Sequence, residues 1–127
     1  MELGNGNSWS QGTCHQEVNG QHYQTDQKVD FTRPDYHTWA VEVNLTANDH
    51  MKEQLNWQLD GKTFLVVKCM GEDAESKACW DRCARSAYFP ILNVAVGGNF
   101  VGEIGSEMVG GVESGLTVAY VAVYKSE

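Results

Sequence analysis

Hydrophobic residues recur along this chain with a period of two. In His37-Thr-Trp-Ala-Val-Glu-Val43, one face carries His37, Trp39, Val41 and Val43, and the other carries Thr38, Ala40 and Glu42. That alternation predicts a half-buried strand. Leu55, Trp57 and Leu59 share a face ahead of Asp60-Gly61, and 63–67 returns, which predicts a hairpin closed by a tight turn. The segment 116–124 is apolar on both faces and predicts a central strand covered from both sides. Tyr88 to Gly102 begins as an apolar run holding one amide, Asn93, then breaks on Gly97-Gly98. Weaker strands are expected over 10–15 and 23–31, a short turn of helix within 47–54, and loops over 1–7, 70–85 and 102–115. Roughly seven short strands at regular spacing predict one all-β domain over 1–127, an antiparallel β-sandwich.

Composition narrows the partners. Hydrophobic residues make up 42% and charged residues 20%, which is globular rather than disordered. Thirteen glycines against two prolines suit strands joined by tight turns. A net charge of −8 disfavours nucleic acid and anionic membranes, whose phosphates would be repelled, but places no penalty on a neutral polysaccharide. Four cysteines and the sequon Asn44-Leu45-Thr46 point to an extracellular protein, although no basic-plus-apolar leader opens the chain. Cys69, Cys79 and Cys83 bracket a short polar stretch, with Cys14 distant, and all three disulfide pairings stay open. The spacings lack a Cys-x-x-Cys pair, so disulfides are expected rather than zinc; no metal site and no cofactor is predicted.

Four segments, taken in order, carry a likeness to a known family. Asp35-Tyr-His-Thr-Trp-Ala-Val-Glu-Val43, Asn56-Trp-Gln-Leu-Asp-Gly61, Tyr88 to Gly102 with its Asn-Val-Ala-Val-Gly-Gly-Asn core, and Val118-Ala-Tyr-Val-Ala-Val-Tyr124 resemble strands of glycoside hydrolase family 16, the laminarinase and β-glucanase family. The resemblance covers nearly the whole chain. It implies a jelly roll (concanavalin-like) of two curved sheets, with β-glucan lying in the concave cleft, and an endo-β-1,3-glucanase-type activity on O-glycosidic bonds.

The family's retaining chemistry needs two carboxylates about 5–5.5 Å apart. They lie on one strand as Glu-x-Asp-x-x-Glu, a pattern these residues do not contain. Met1-Glu2-Leu3-Gly4-Asn5 resembles its end, so the resemblance gives Glu2 the acid/base place and leaves the nucleophile without a counterpart. Gln11-Gly-Thr-Cys-His15 resembles the following strand, which gives His15 a cleft-lining role, as it does Asn93; Phe100 takes the aromatic place after the Gly-Gly-Asn turn. The expectation that follows is the C-terminal part of a secreted β-glucanase-like domain, Met1 being an internal methionine, with a calcium ion possible in relatives but supplied by no clear oxygen-rich loop here. Without a nucleophile such a chain cannot run two-step retention.

Each candidate also has an ordinary reading. Glu2 could be a solvated terminal residue, His15 a surface histidine, Asn93 a satisfied amide, and Glu42 a solvent-facing strand charge. Trp39 and Trp57 share faces with aliphatics and are expected in the core, whereas Trp9 and Trp80, in polar surroundings, are expected as stacking platforms for sugar rings. A non-catalytic, lectin-like carbohydrate-binding protein is the alternative function; an all-β structural domain is a third.

Overall fold

The computed structural model describes residues 2–3, 8–32, 35–45, 47–99 and 102–125. The chain divides into two compact units, Met1–Tyr88 and Phe89–Glu127.

The first unit is the all-β, antiparallel assembly that the alternation predicts: two three-stranded sheets packed as a sandwich. Sheet 1 joins β1 (Glu2–Leu3), β2 (Trp9–Val18) and β3 (Gln21–Asp30), and sheet 2 joins β4 (Trp39–Asn44), β5 (Gln54–Leu59) and β6 (Lys62–Lys68). Both long hairpins close on two-residue turns with positive φ at both positions, Asn19-Gly20 (53° and 71°) and Asp60-Gly61 (50° and 76°). These are the turns whose twist matches that of the strands they join.

Between the sheets lies one core: Cys14 of β2, Leu55 and Trp57 of β5, Leu65 and Val67 of β6, with Cys69, Trp80 and Ala84. The layers meet most closely at Gly12. A Cβ there would stand 2.9 Å from Trp57 Cδ1 and 3.0 Å from Phe64 Cε2, so only glycine admits this approach. The register of β5 and β6 shifts between Trp57 and Gln58, leaving Phe64 as an extra residue, and it packs against the core.

Several expectations are corrected. The stretch 70–85 is not a loop: Ala74–Trp80 forms helix α1, continued by a π-helical turn at Asp81–Arg85. Asp73 caps α1, accepting from Glu75 N at 3.1 Å and Ser76 N at 2.9 Å. Trp80 is therefore no sugar platform but a fully buried core residue. Strand β4 forms where a half-buried strand is expected and pairs with β5, yet Val41 and Val43, expected on its apolar face, are each 51% exposed.

The four cysteines are free thiols rather than disulfides. Their hydrogens are in use: Cys69 Sγ donates to Gly71 O at 3.2 Å and Cys83 Sγ to His15 O at 3.7 Å, bonds that a disulfide could not make. Burial, then the neighbouring Cys79 and Cys14 sulfurs, push the Cys83 thiol up to about 12, which disfavours its thiolate.

The second unit contains no strand among its described residues. It holds one antiparallel bridge, Gly98–Gly102, and a 3-10 turn at Val112–Ser114. The strands expected in the apolar run before Gly97-Gly98 and over 116–124 are irregular and solvent-exposed instead, with Asn93 exposed among them. An apolar run becomes a strand only where a neighbouring backbone takes its hydrogen bonds, and the described residues of this unit place none alongside.

Helix α1 and the π-turn are fixed to the sandwich by Glu53, a residue with no solvent exposure at the head of β5. Trp80 Nε1 donates to Glu53 Oε2 at 2.9 Å, and Arg85 donates Nη2 to Oε1 at 2.6 Å and Nε to Oε2 at 3.2 Å. Replacing Glu53 by Ala leaves a buried indole N–H and a guanidinium without their acceptor. We expect a loss of about 3–5 kcal/mol, read as a drop in urea midpoint at constant slope. A loss under about 1 kcal/mol would show that the clamp is incidental.

Candidate functional site

Three of the sequence candidates, Glu2, Trp9 and His15, lie on the outer face of sheet 1. Along β2 the even positions Ser10, Gly12, Cys14, Gln16 and Val18 are buried, which places Trp9, Gln11, Thr13, His15 and Glu17 on the other face, where Gln11 is covered as well and His15 and Glu17 are exposed. The register of β2 with β3 pairs these with Asp30, Lys28, Asp26, Gln24 and His22, and β1 places Glu2 opposite Gln11. Residues paired directly share a face, so this surface carries acids, amides, two histidines, a lysine and one indole.

Glu2 is exposed, and its Oε2 accepts from Thr13 Oγ1 at 3.2 Å. Gln11 Nε2 donates to Asp26 Oδ2 at 2.7 Å. Glu2 and Asp26 thus stand on the strands either side of β2, two strand spacings across and two residues along, so that their backbones are roughly 12 Å apart, each carboxylate held by a β2 side chain. Trp9 is half-buried at the start of β2, with Lys28 Nζ 3.9 Å from its ring centroid. His15 shares the face with Glu2 but stands four residues along β2 from Glu2's partner, roughly 13 Å away. Its Nδ1 lies 3.1 Å from His22 Nε2.

The remaining candidates fall elsewhere. Asn93 belongs to the second unit, and Phe100 lies outside the described residues. In that unit Gly98 and Gly102 exchange backbone hydrogen bonds of 3.1 and 2.7 Å, and the turn borders an open depression of about 600 Å³ with Val96, Asn99, Glu103 and Ile104. Glu42 faces outward from sheet 2, where Asn56 Nδ2 and Gln58 Nε2 donate to its Oε2 at 2.8 and 3.3 Å. Asn56 Oδ1 is buried with no hydrogen-bond partner among the described residues.

One cluster went unread in the sequence. His37 Nδ1 meets Asp60 Oδ2 and its Nε2 meets Thr32 O, both at 2.7 Å. Both partners can only accept, so both ring nitrogens donate and the ring is an imidazolium. Phe31 and Trp39 stand edge-on around it, with Phe31 5.4 Å from the His37 ring and 5.5 Å from Trp39. Phe31, Thr32, His37 and Asp60, with Leu59 and Phe64, border a pocket of about 280 Å³. The Thr32 carbonyl first, and the Asp60 carboxylate second, raise His37 above its ordinary 6.5. The Thr38 N–H and then His37 hold Asp60 below its ordinary 3.8. With both nitrogens committed, His37 is a clamp on the β5–β6 turn and not a general base.

Comparison with known protein families, with characterised proteins and with solved structures found no match. The likeness to glycoside hydrolase family 16 rests on the quoted sequence segments.

The clamp has a defined pH window. Because the folded His37 value is raised, its stabilisation is complete below pH 6.5 and is lost as pH rises through the folded value. Asp60 acts oppositely: its share is present above 3.8 and is lost as pH falls through the depressed value. The thermal midpoint should therefore decline from mildly acid to mildly alkaline pH, and His37→Gln should flatten that decline. An identical slope in the variant would sink the assignment.

Proposed function

We propose that this chain is a β-glucan-recognising domain of the glycoside hydrolase family 16 type, with Glu2 in the acid/base place and no nucleophile among its residues. One observation carries the reading. The short strand bearing Glu2 pairs antiparallel with the strand bearing Gln11-Gly-Thr-Cys-His15, and Glu2, Trp9 and His15 come to lie on a single outward face. A sheet face rich in carboxylates, amides and hydroxyls supplies donors and acceptors for sugar hydroxyls, and an indole supplies a surface for the apolar side of a pyranose. Lys28 sits over Trp9 now, but an exposed cation–π contact is worth only about 0.5–1 kcal/mol, so a stacking sugar can displace it.

The lectin-like reading gains from the neighbours of Glu2. Its carboxylate is held by the Thr13 hydroxyl, and Asp26, the carboxylate across β2, has its backbone roughly 12 Å from that of Glu2, whereas a retaining pair stands about 5–5.5 Å apart. That arrangement suits binding better than double displacement, which needs a nucleophile on the far side of the scissile bond. In the protein as it stands, glucan would be held on the face and not cleaved.

The deciding experiment measures retention of the chain on insoluble β-1,3-glucan together with reducing-end release from laminarin. Retention without release is expected, and Trp9→Ala should weaken retention several-fold, up to about tenfold. Release that Glu2→Gln abolishes would establish the enzyme over the binder. Neither retention nor release from a chain with a cooperative melt would discard both carbohydrate readings and leave a structural domain.

A further inference from the structure

His15 and His22 lie diagonally across the β2–β3 hairpin, since His15 pairs with Gln24 and His22 with Glu17. Both side chains are exposed, their ring centroids are 5.1 Å apart and tilted by 30°, and His15 Nδ1 approaches His22 Nε2 to 3.1 Å. In that contact one nitrogen donates a hydrogen into the lone pair of the other. We propose that the pair is a chelating site for a divalent transition-metal ion of the imidazole-preferring kind, the ion taking the place of the shared hydrogen.

The geometry fits. Imidazole nitrogens bind such ions at about 2.0–2.1 Å, and two of them at 90–110° around one ion stand about 2.9–3.4 Å apart. The observed 3.1 Å falls inside that interval, so the rings need to slide little. Each ring keeps a second nitrogen for its remaining hydrogen, so both can bind as neutral ligands. Glu17, opposite His22 on the same face, adds a carboxylate beside the pair, and the overall charge of −8 favours a cation.

The scaffold behind the pair is held in place. The hairpin closes two residues beyond Glu17 on the tight Asn19-Gly20 turn. From the π-turn, Cys83 Sγ donates to the carbonyl of His15, and Arg82 Nη2 donates to the carbonyl of Glu17 at 3.1 Å. The β2 side of the pair is thus held at His15 and at Glu17, the residue opposite His22, which steadies the strand before any ion arrives.

Among the described residues no group of three or more His, Cys, Asp or Glu converges as a closed site. The pair would be open, with waters completing the coordination, and exchange would be fast. Nitrogen donors select Cu²⁺, Ni²⁺, Co²⁺ and Zn²⁺ over Ca²⁺ and Mg²⁺, which prefer oxygen. The sequence predicts no metal here, since the two histidines, seven apart, match no ligand spacing until the hairpin brings them across from each other. The site stands independently of the carbohydrate reading.

The test is calorimetric titration of the full chain with Ni²⁺, repeated for His15→Gln, His22→Gln and His50→Gln. His50 is the control, its Nε2 lying 2.9 Å from Asp81 Oδ1, away from the hairpin. One ion per chain is expected, with affinity falling about tenfold or more in each of the first two variants and holding in the third. Ni²⁺ should also raise the thermal midpoint of the native chain and the His50 variant but not of the other two, whose melts without metal show that they are folded. A Co²⁺ spectrum separates the sites further: d–d bands without a sulfur-to-metal charge-transfer band are expected. Absence of saturable binding up to about 1 mM, equal binding in all variants, or a thiolate band would each overturn the proposal.

Discussion

The Glu53 carboxylate sits where no water reaches it, and the arrangement of the first unit follows from how that group is satisfied. A buried carboxylate needs donors in fixed directions, and an indole and a guanidinium supply them from the helix and the π-turn after it. The Trp80 ring is thereby committed to the core. The π-turn, held at Arg85, presents Arg82 and Cys83 to the β2 carbonyls of Glu17 and His15. The effect of one acid is passed through the helix to a strand it does not touch, and from there to the outer face of sheet 1. Helix α1 has only seven residues and would be marginal alone; its stability comes from these tertiary bonds and the Asp73 cap.

The outer face of sheet 1 is an open polar surface. Deep pockets suit small ligands, whereas an open strand face can follow an extended chain over several units. The face has an aromatic at the Trp9 end, a histidine pair at the His15 end, and carboxylates and amides between. The same surface thus offers two kinds of chemistry at separate places, hydrogen bonding to hydroxyls in its middle and nitrogen donors at the hairpin tip.

What could be read in the sequence was what depends on neighbours two residues away. The Asp60-Gly61 hairpin and the inward set of Leu55, Trp57 and Leu59 emerge as read, because alternation and turn chemistry are local. Asn19-Gly20 carried the same signal and went unused, so β2 and β3 came out longer than the 10–15 and 23–31 expected. Helix α1 was hidden by its brevity, although Ser76, Cys79, Trp80 and Ala84 recur at helical spacing and all are buried. The apolar segments of the second unit show the limit of pattern reading. Composition states what a strand would be made of, but not which backbone would pair with it. Of the candidate site, Glu2, Trp9 and His15 share one face as alternation allows, while His37 escaped notice because its role needs an acceptor 23 residues away.

Gly12 has a consequence for folding fidelity. Ten-residue strands such as β2 and β3 can slip by one residue, and a slip turns every side chain to the wrong layer. Here a slip would bring Gln11 or Thr13 to the point where even a lone Cβ stands 2.9 Å from Trp57. The layers could not then close, and the core that stabilises the hairpin would not form. The smallest side chain in β2 thus acts as a proofreading device, letting the sandwich shut only when the strands are correctly aligned.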